Sequence, residues 1–157
     1  MRAVNIELVS KLGARLPQGG GLLEFGTTRD QALQRLEHFG PTQTSFVRGS
    51  PWTARVRIGD RWIEAGAGAE GLLTEIRVVR AIEATWPEPT PIPVLYRGID
   101  VFDHPMAEIE FLLNAMDPGT GTGVDIGTGT GIERDLRLTG LSGYALSATL
   151  VDPSRRS

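Results

Sequence analysis

The stretch WTARVRIGDRWIEA, residues 52–65, contains the clearest structural pattern in the chain. In its first half apolar and polar residues alternate, as they do in a β-strand with one buried face and one solvated face. The dipeptide at 59–60, Gly followed by Asp, suits a two-residue turn, so the stretch predicts an antiparallel hairpin. Residues 72–79 alternate in the same way and predict a third antiparallel strand beside it.

Two segments before the hairpin have the apolar spacing that is typical of helices. Residues 4–16 predict a first helix, which ends at the glycine-rich breaker 17–21. Residues 28–38 predict a second helix, because Thr28 and Gln31 have the spacing of a capping box. The hairpin is therefore expected to follow two helices.

The second half of the chain predicts a similar set of elements. Asp103 or His104 can cap a helix that has Pro105 in its first turn. The apolar side of this helix is expected to consist of Met106, Ile109, Leu112 and Leu113. Strands are predicted at 93–96, 133–139 and 144–151.

The order of these elements predicts an α+β domain, in which an antiparallel sheet is combined with short helices. The sequences FGTTRDQALQRL at 25–36 and FDHPMAEIEFLL at 102–113 share one outline, a Phe, a capping segment and an amphipathic helix. This favours two quasi-repeated helix-plus-hairpin units that share one sheet. We expect a single domain, with a helix-helix-three-strand unit at 1–80, a proline-rich connector at 81–93 and a second helix-plus-strands unit at 94–157.

The composition excludes several classes of chemistry. The chain has 157 residues, no cysteine and two histidines, which excludes thiol catalysis, Cys-ligated zinc, iron–sulfur clusters and a His-rich metal site. The residues form no catalytic set of recognised spacing, so we expect no enzymatic activity, no metal and no cofactor. A formal net charge of -3 disfavours a general nucleic-acid binder. Without a signal pattern or a long apolar run, a cytoplasmic protein with no membrane partner is expected.

One glycine-rich motif resembles a known family. Residues 124–131, VDIGTGTG, are similar to motif I of the class I S-adenosylmethionine-dependent methyltransferases, and ATLVDPS at 148–154 looks like the second strand of that fold. The resemblance implies that the ligand would be held by Asp125, Gly127, Gly129, Gly131 and Asp152. Because glycines break the segment 132–143, where that fold requires a helix, we interpret the motif as a decoy and residues 119–131 as a glycine-rich loop.

Charge is distributed unevenly along the chain. Residues 81–125 contain one basic residue, Arg97, and eight acidic ones, for a charge of -7, whereas residues 1–80 carry +3. An acidic segment of this kind favours a basic partner, which it would attract by electrostatic steering. The residues expected to contact that partner are Trp86, Asp100, Phe102, Asp103, Glu108 and Glu110. The alternatives are a solvated helix face and, around His104, a weak metal site or acid/base pair.

A basic group lies on the predicted hairpin. Arg55, Arg57 and Arg61 are expected on its outer face. Guanidinium groups there could contact a phosphate or a carboxylate. The alternative is a solvated strand face that protects the sheet edge against aggregation.

Together these observations favour a non-enzymatic protein-binding module. Local acidity and the absence of a catalytic set fit an immunity or inhibitor protein that neutralises a basic partner such as a toxin. The sequence FGTTRDQAL at 25–33 resembles the helix start of small bacterial helix-plus-sheet proteins of the immunity type, which implies the same role. One alternative is a domain that binds an S-adenosylmethionine-like ligand through the loop 119–131. Another is an oligomeric scaffold whose hairpin edge pairs with itself.

Overall fold

The fold is described by a computed structural model over residues 5–44, 51–59, 61–80, 92–116, 124–126, 135–141 and 143–152. Within these ranges the first part of the chain forms β1 (Ile6–Val9), β2 (Gly13–Leu16), β3 (Gly21–Glu24), α1 (Arg29–Glu37), β4 (Thr53–Ile58), β5 (Arg61–Ala67) and β6 (Leu73–Arg80). The second part forms β7 (Val94–Tyr96), β8 (Ile99–Asp100), α2 (Met106–Met116), β9 (Val124–Ile126), β10 (Leu136–Leu141) and β11 (Tyr144–Val151).

The strands form two sheets. A five-stranded sheet has the order β3-β2-β1-β7-β8, and a six-stranded sheet has the order β4-β5-β6-β11-β10-β9. All neighbouring strands are antiparallel except the pairs β1–β7 and β9–β10, which are parallel. Two short helices with two mostly antiparallel sheets make an α+β fold, so the predicted fold class is confirmed.

The hairpin predicted at 52–65 is confirmed as β4 and β5. Ile58 pairs with Arg61 across the turn, and Val56 pairs with Ile63. The third strand is β6, which lies antiparallel to β5. Because β6 also pairs with β11, the hairpins of the two halves share one sheet, as expected. The quasi-repeat is not confirmed, since three strands precede α1 but only β7 and β8 lie between β6 and α2.

The prediction of a helix at 4–16 is wrong, because residues 6–16 form the hairpin β1–β2. The chain reverses through Lys11, with φ 67°, and Gly13, with φ 139°, and a right-handed helix contains neither conformation. At Gly13 a Cβ atom would lie 2.0 Å from the carbonyl oxygen of Leu23 in β3. The apolar residues at two-residue spacing, such as Ile6 and Leu8, therefore belong to a strand and are buried.

The two helices are close to their predicted positions, but only the start of α1 was identified correctly. The Thr28 hydroxyl accepts a hydrogen bond from the Gln31 backbone and the Gln31 side chain accepts one from the Thr28 backbone, a complete capping box. In α2 neither Asp103 nor His104 is the cap. The carbonyl oxygen of Pro105 accepts from the backbone of Ile109, over 3.1 Å, at the first turn.

The buried apolar side chains of both sheets and both helices form one cluster. Its largest fully buried members include Tyr96, Leu8, Leu36 and Ile109. Backbone hydrogen bonds link the segment after β3 to the second sheet, since Gly26 donates to Leu73 over 2.9 Å. Neither α1 nor α2, the helices found in the described residues, is long and apolar enough to cross a bilayer.

Candidate functional site

The acidic segment predicted to bind a partner lies on and before α2. One side of this helix is buried through Met106, Ile109 and Leu113. The other side carries the exposed residues Ala107, Glu108, Phe111 and Ala115. Residues three and four apart lie on one helix face, so these exposed side chains form a continuous surface.

Phe111 is the most exposed large apolar residue in the described part of the chain, at 71% exposure. Tyr144 follows at 47% and pairs as an isolated bridge with Pro105, immediately before α2. Aromatic side chains are enriched at protein–protein interfaces, because they bury a large area with little loss of conformational entropy. Phe111 and Tyr144 are therefore candidate contact residues near the N-terminal half of α2.

The four carboxylates predicted to bind a partner differ in their solvent exposure and in their contacts within the protein. Asp103 is exposed, and Glu108 is exposed but lies 3.5 Å from the His104 Nδ1 atom, one helical turn away. Asp100 is half-buried, and its Oδ1 atom accepts from the Phe102 backbone N–H over 3.1 Å. Glu110 is also half-buried and takes part in a further interaction. Asp103 and Glu108 are thus the carboxylates most accessible to a partner.

Phe102 lies inside the molecule, with 3% of its surface exposed. The guanidinium groups of Arg61 and Arg80 lie over its ring at 4.7 and 5.5 Å from the centroid. Arg80 also donates to the Phe102 carbonyl oxygen over 2.9 Å. The ring therefore fixes the acidic segment on the second sheet, and in this structure an apolar contact to a partner must come from another residue.

Arg61 does not lie on the outer face of the hairpin, where it was expected. It pairs with Ile58, whose side chain faces the core, and residues paired across antiparallel strands point to the same side. Arg61 is accordingly 3% exposed, and its Nε atom donates to the Ile92 carbonyl oxygen over 3.2 Å. Arg55 and Arg57 do lie on the outer face, where both guanidinium groups approach the Trp62 ring.

Several predicted site residues fall outside the described ranges. Trp86 is one of them, and so are Gly127, Gly129 and Gly131 of the glycine-rich motif.

Asp125 and Asp152, the two acidic residues of the methyltransferase resemblance, lie on different strands of the second sheet. Asp125 is in β9, and Asp152 follows β11 and is 5% exposed. Because β9 is parallel to β10 and β10 is antiparallel to β11, the carboxyl ends of β9 and β11 are at opposite edges of the sheet. In doubly wound α/β folds the ligand binds where carboxyl ends of parallel strands meet. The described strands do not produce that arrangement.

A buried polar network joins the two sheets. The Tyr96 hydroxyl donates to Oδ1 of Asp135 over 2.9 Å, and the Ser10 hydroxyl donates to Oδ2. Tyr96 is 2% exposed and Asp135 is 8% exposed. Burial, and then the negative charge of Asp135, raise the pKa of the Tyr96 hydroxyl above its usual range. The phenol is therefore held as a proton donor to the Asp135 carboxylate.

Among the described residues no three His, Cys, Asp or Glu side chains converge on a possible metal site. The pair formed by His104 and Glu108 has two potential ligands, and a stable protein site for a divalent cation usually needs three or more. The observed contact is that of an i, i+4 pair on a helix surface.

Sequence reasoning missed Phe111 and the network around Asp135. A signal for Phe111 was present, since it is an aromatic residue outside the predicted apolar side of its helix. The network has no such signal, because Ser10 and Asp135 are 125 residues apart in the sequence.

The chain was compared with protein-family models, curated proteins and solved structures, and no match was found.

Proposed function

We propose that this chain is a non-enzymatic protein-binding module that neutralises a basic protein partner, in the manner of an immunity or inhibitor protein. The proposed binding surface, called the α2 surface below, consists of Asp103, Glu108, Phe111 and the adjoining exposed side of α2. The observation that carries the proposal is Phe111, a phenylalanine on α2 that is 71% exposed and lies beside carboxylates. Phe111 lies between the exposed Ala107 and Ala115 on one helix face, and contiguous exposed apolar patches rimmed by polar residues mark interaction sites.

Charge supports a basic partner. From residue 92 to residue 116 the chain has four carboxylates and a single basic side chain, Arg97. The last turn of α2 contains no basic residue. A surface of one sign raises the rate at which an oppositely charged protein is captured. Phe111 would then supply the buried anchor in the complex, and the carboxylates would supply the polar rim.

The rigidity of the α2 surface supports the same proposal. Phe102 is clamped by two arginines, and the Met106 backbone N–H donates to the Gly143 carbonyl oxygen over 2.7 Å. Both ends of the segment that leads into α2 are thus attached to the second sheet. A preorganised surface loses less conformational entropy on binding than a flexible one.

The test is affinity capture from extracts of the source organism on the immobilised chain. The wild-type chain is compared with Phe111→Ala and with Glu37→Lys, a control on the exposed side of α1. We expect a basic protein to be captured by the wild type and by the control, but not by Phe111→Ala. Equal capture by all three chains, or no specific capture by the wild type, contradicts the proposal.

A further inference from the structure

A cavity lies between β3 and α1, on a part of the molecule that the α2 surface does not use. Its volume is about 290 Å³, and its lining includes Leu23, Glu24, Thr27, Gln34 and Arg35. Leu23, at 0% exposure, provides an apolar floor. Small-molecule sites begin at about 300 Å³, so this cavity is at the lower end of that range and suits a ligand of only a few heavy atoms.

Gln31, which also lines the cavity, is used in the capping box of α1, but Glu24, Thr27 and Arg35 have no side-chain partner among the described residues. The Thr27 hydroxyl is fully buried and has no hydrogen-bond partner there. Neither Glu24 nor Arg35 forms an ion pair with a residue in the described ranges. A buried hydroxyl without a partner is rare in a folded protein and calls for a bound water or ligand.

The position of Arg35 is set by the backbone below it. A Cβ atom on Gly21 would lie 2.8 Å from the Arg35 Nη1 atom, so the guanidinium group rests directly on this glycine. Gly21 has φ 80°, a conformation that favours glycine at the start of β3. The absence of a side chain at residue 21 thus leaves room for the guanidinium group beside the cavity.

We propose that this cavity binds a free amino acid with a small aliphatic side chain. A ligand with only a negative charge would be attracted by Arg35 but repelled by Glu24, and a ligand with only a positive charge would have the reverse problem. A zwitterion satisfies both residues, with its carboxylate on Arg35 and its ammonium group on Glu24. The Thr27 hydroxyl and the Gln34 amide add hydrogen bonds, and Leu23 contacts the aliphatic side chain.

The test is a titration followed by backbone amide NMR signals, with leucine, valine and alanine as probes. 4-Methylpentanoate, which is leucine without its ammonium group, and isoamylamine, which is leucine without its carboxylate, serve as matched ligands with one charge each. We expect at least one of the amino acids to shift the signals of Thr27, Gln34 and Arg35, and neither single-charge ligand to do so at the same concentration. No shift with any amino acid, or an equal shift with a single-charge ligand, overturns the proposal.

Variants of the cavity identify the groups that bind. Arg35→Gln and Glu24→Gln should each weaken binding of the amino acid about tenfold, which is the loss expected for one charge-assisted hydrogen bond. Thr27→Val should weaken it about threefold without unfolding the protein, because the lost hydroxyl has no partner in the free chain. Arg29→Gln, on the same helix but outside the cavity lining, is the control and should bind as the wild type does. Unchanged affinity in both charge variants overturns the proposal.

Discussion

Tyr96 shows at the scale of one residue how the two sheets are held together. Its hydroxyl donates to the carboxylate of Asp135 inside the core, 39 residues away along the chain. In Tyr96→Phe the buried carboxylate loses a donor, so we expect the free energy of unfolding to fall by about 1–3 kcal/mol. Urea denaturation measures this change.

The matched control for Tyr96→Phe is Tyr144→Phe, because Tyr144 is 47% exposed and its hydroxyl can bond to water. This control should change the free energy of unfolding by less than about 0.5 kcal/mol. Equal effects of the two substitutions would mean that the Tyr96–Asp135 hydrogen bond contributes nothing measurable.

The raised pKa of Tyr96 predicts a pH dependence. Below about pH 10 the phenol is protonated in both the folded and the unfolded chain, so its contribution to stability is complete. As the pH rises above that value the unfolded chain ionises while the folded one resists, and the contribution is lost. The difference in stability between wild type and Tyr96→Phe should therefore shrink from pH 8 towards alkaline pH. Urea titrations along this range measure it, and a constant difference contradicts the assignment.

Residue-scale features were predictable where the signal is local. Thr28 and Gln31 are three residues apart, and their capping box is formed as the sequence predicts. The buried position of Arg61 could also have been predicted, since a two-residue turn pairs it with Ile58. The partners of Asp135 are set by packing between sheets, which no local pattern encodes.

At the scale of elements, a substitution in β2 distinguishes the hairpin from the predicted helix. The two interpretations predict changes in stability of opposite sign. In a helix, Gly13→Ala would stabilise the protein by about 1 kcal/mol. In the hairpin, the new Cβ atom would lie 2.0 Å from the Leu23 carbonyl oxygen at a backbone φ of 139°. We therefore expect Gly13→Ala to destabilise the protein by more than about 2 kcal/mol in thermal or urea unfolding.

Gly66→Ala is the control for Gly13→Ala. A Cβ atom at Gly66 in β5 would meet only the Thr53 side chain, at 3.9 Å. The control should change stability by less than about 1 kcal/mol. A stabilised Gly13→Ala variant would contradict the hairpin.

The N-terminus of α1 predicts a smaller effect. Thr28→Ala removes the hydroxyl that accepts from the Gln31 backbone, and loss of such a cap costs about 1 kcal/mol of stability. Thr28→Ser keeps the hydroxyl and should retain most of that stability. Chemical denaturation of both variants distinguishes the outcomes, and an equal loss in both would rule out the capping hydrogen bond as the cause.

Strands in which apolar and polar residues alternate could be predicted from the sequence, and strands without this alternation could not. β4, β5 and β6 alternate over most of their length, and short connections join them in the sequence. β1 has four residues, and its apolar positions also fit a helix when residues up to 16 are included. In such short segments tertiary pairing decides the conformation.

For the whole molecule, the six-stranded sheet was largely predicted and the five-stranded sheet was not. The five-stranded sheet depends on the parallel pairing of Ile6 with Val94, residues that are 88 positions apart in the sequence. Two of its strands, β7 and β8, belong to the acidic segment that leads into α2. Leu95 pairs with Asp100 and Tyr96 pairs with Ile99, so strand pairing holds the segment that leads into α2.

Segregation of charge is the whole-molecule property on which the proposed function depends. The total of -3 hides a segment with -7 at residues 81–125. Attraction between exposed charges weakens with salt, because the screening length falls to about 8 Å at physiological ionic strength. Binding through the α2 surface must therefore be salt-dependent, and reversal of its charges must reduce that dependence.

The most direct measurement is the dissociation constant of the captured partner as a function of salt concentration. It compares the wild type with Asp103→Lys/Glu108→Lys and with a control of equal net charge on α1, Asp30→Lys/Glu37→Lys. We predict affinity at least about tenfold weaker, with a flatter salt dependence, for the α2 variant alone, since interfacial charge contacts are worth about 1.5 kcal/mol or more. Wild-type affinity and an unchanged salt dependence in the α2 variant would contradict the account.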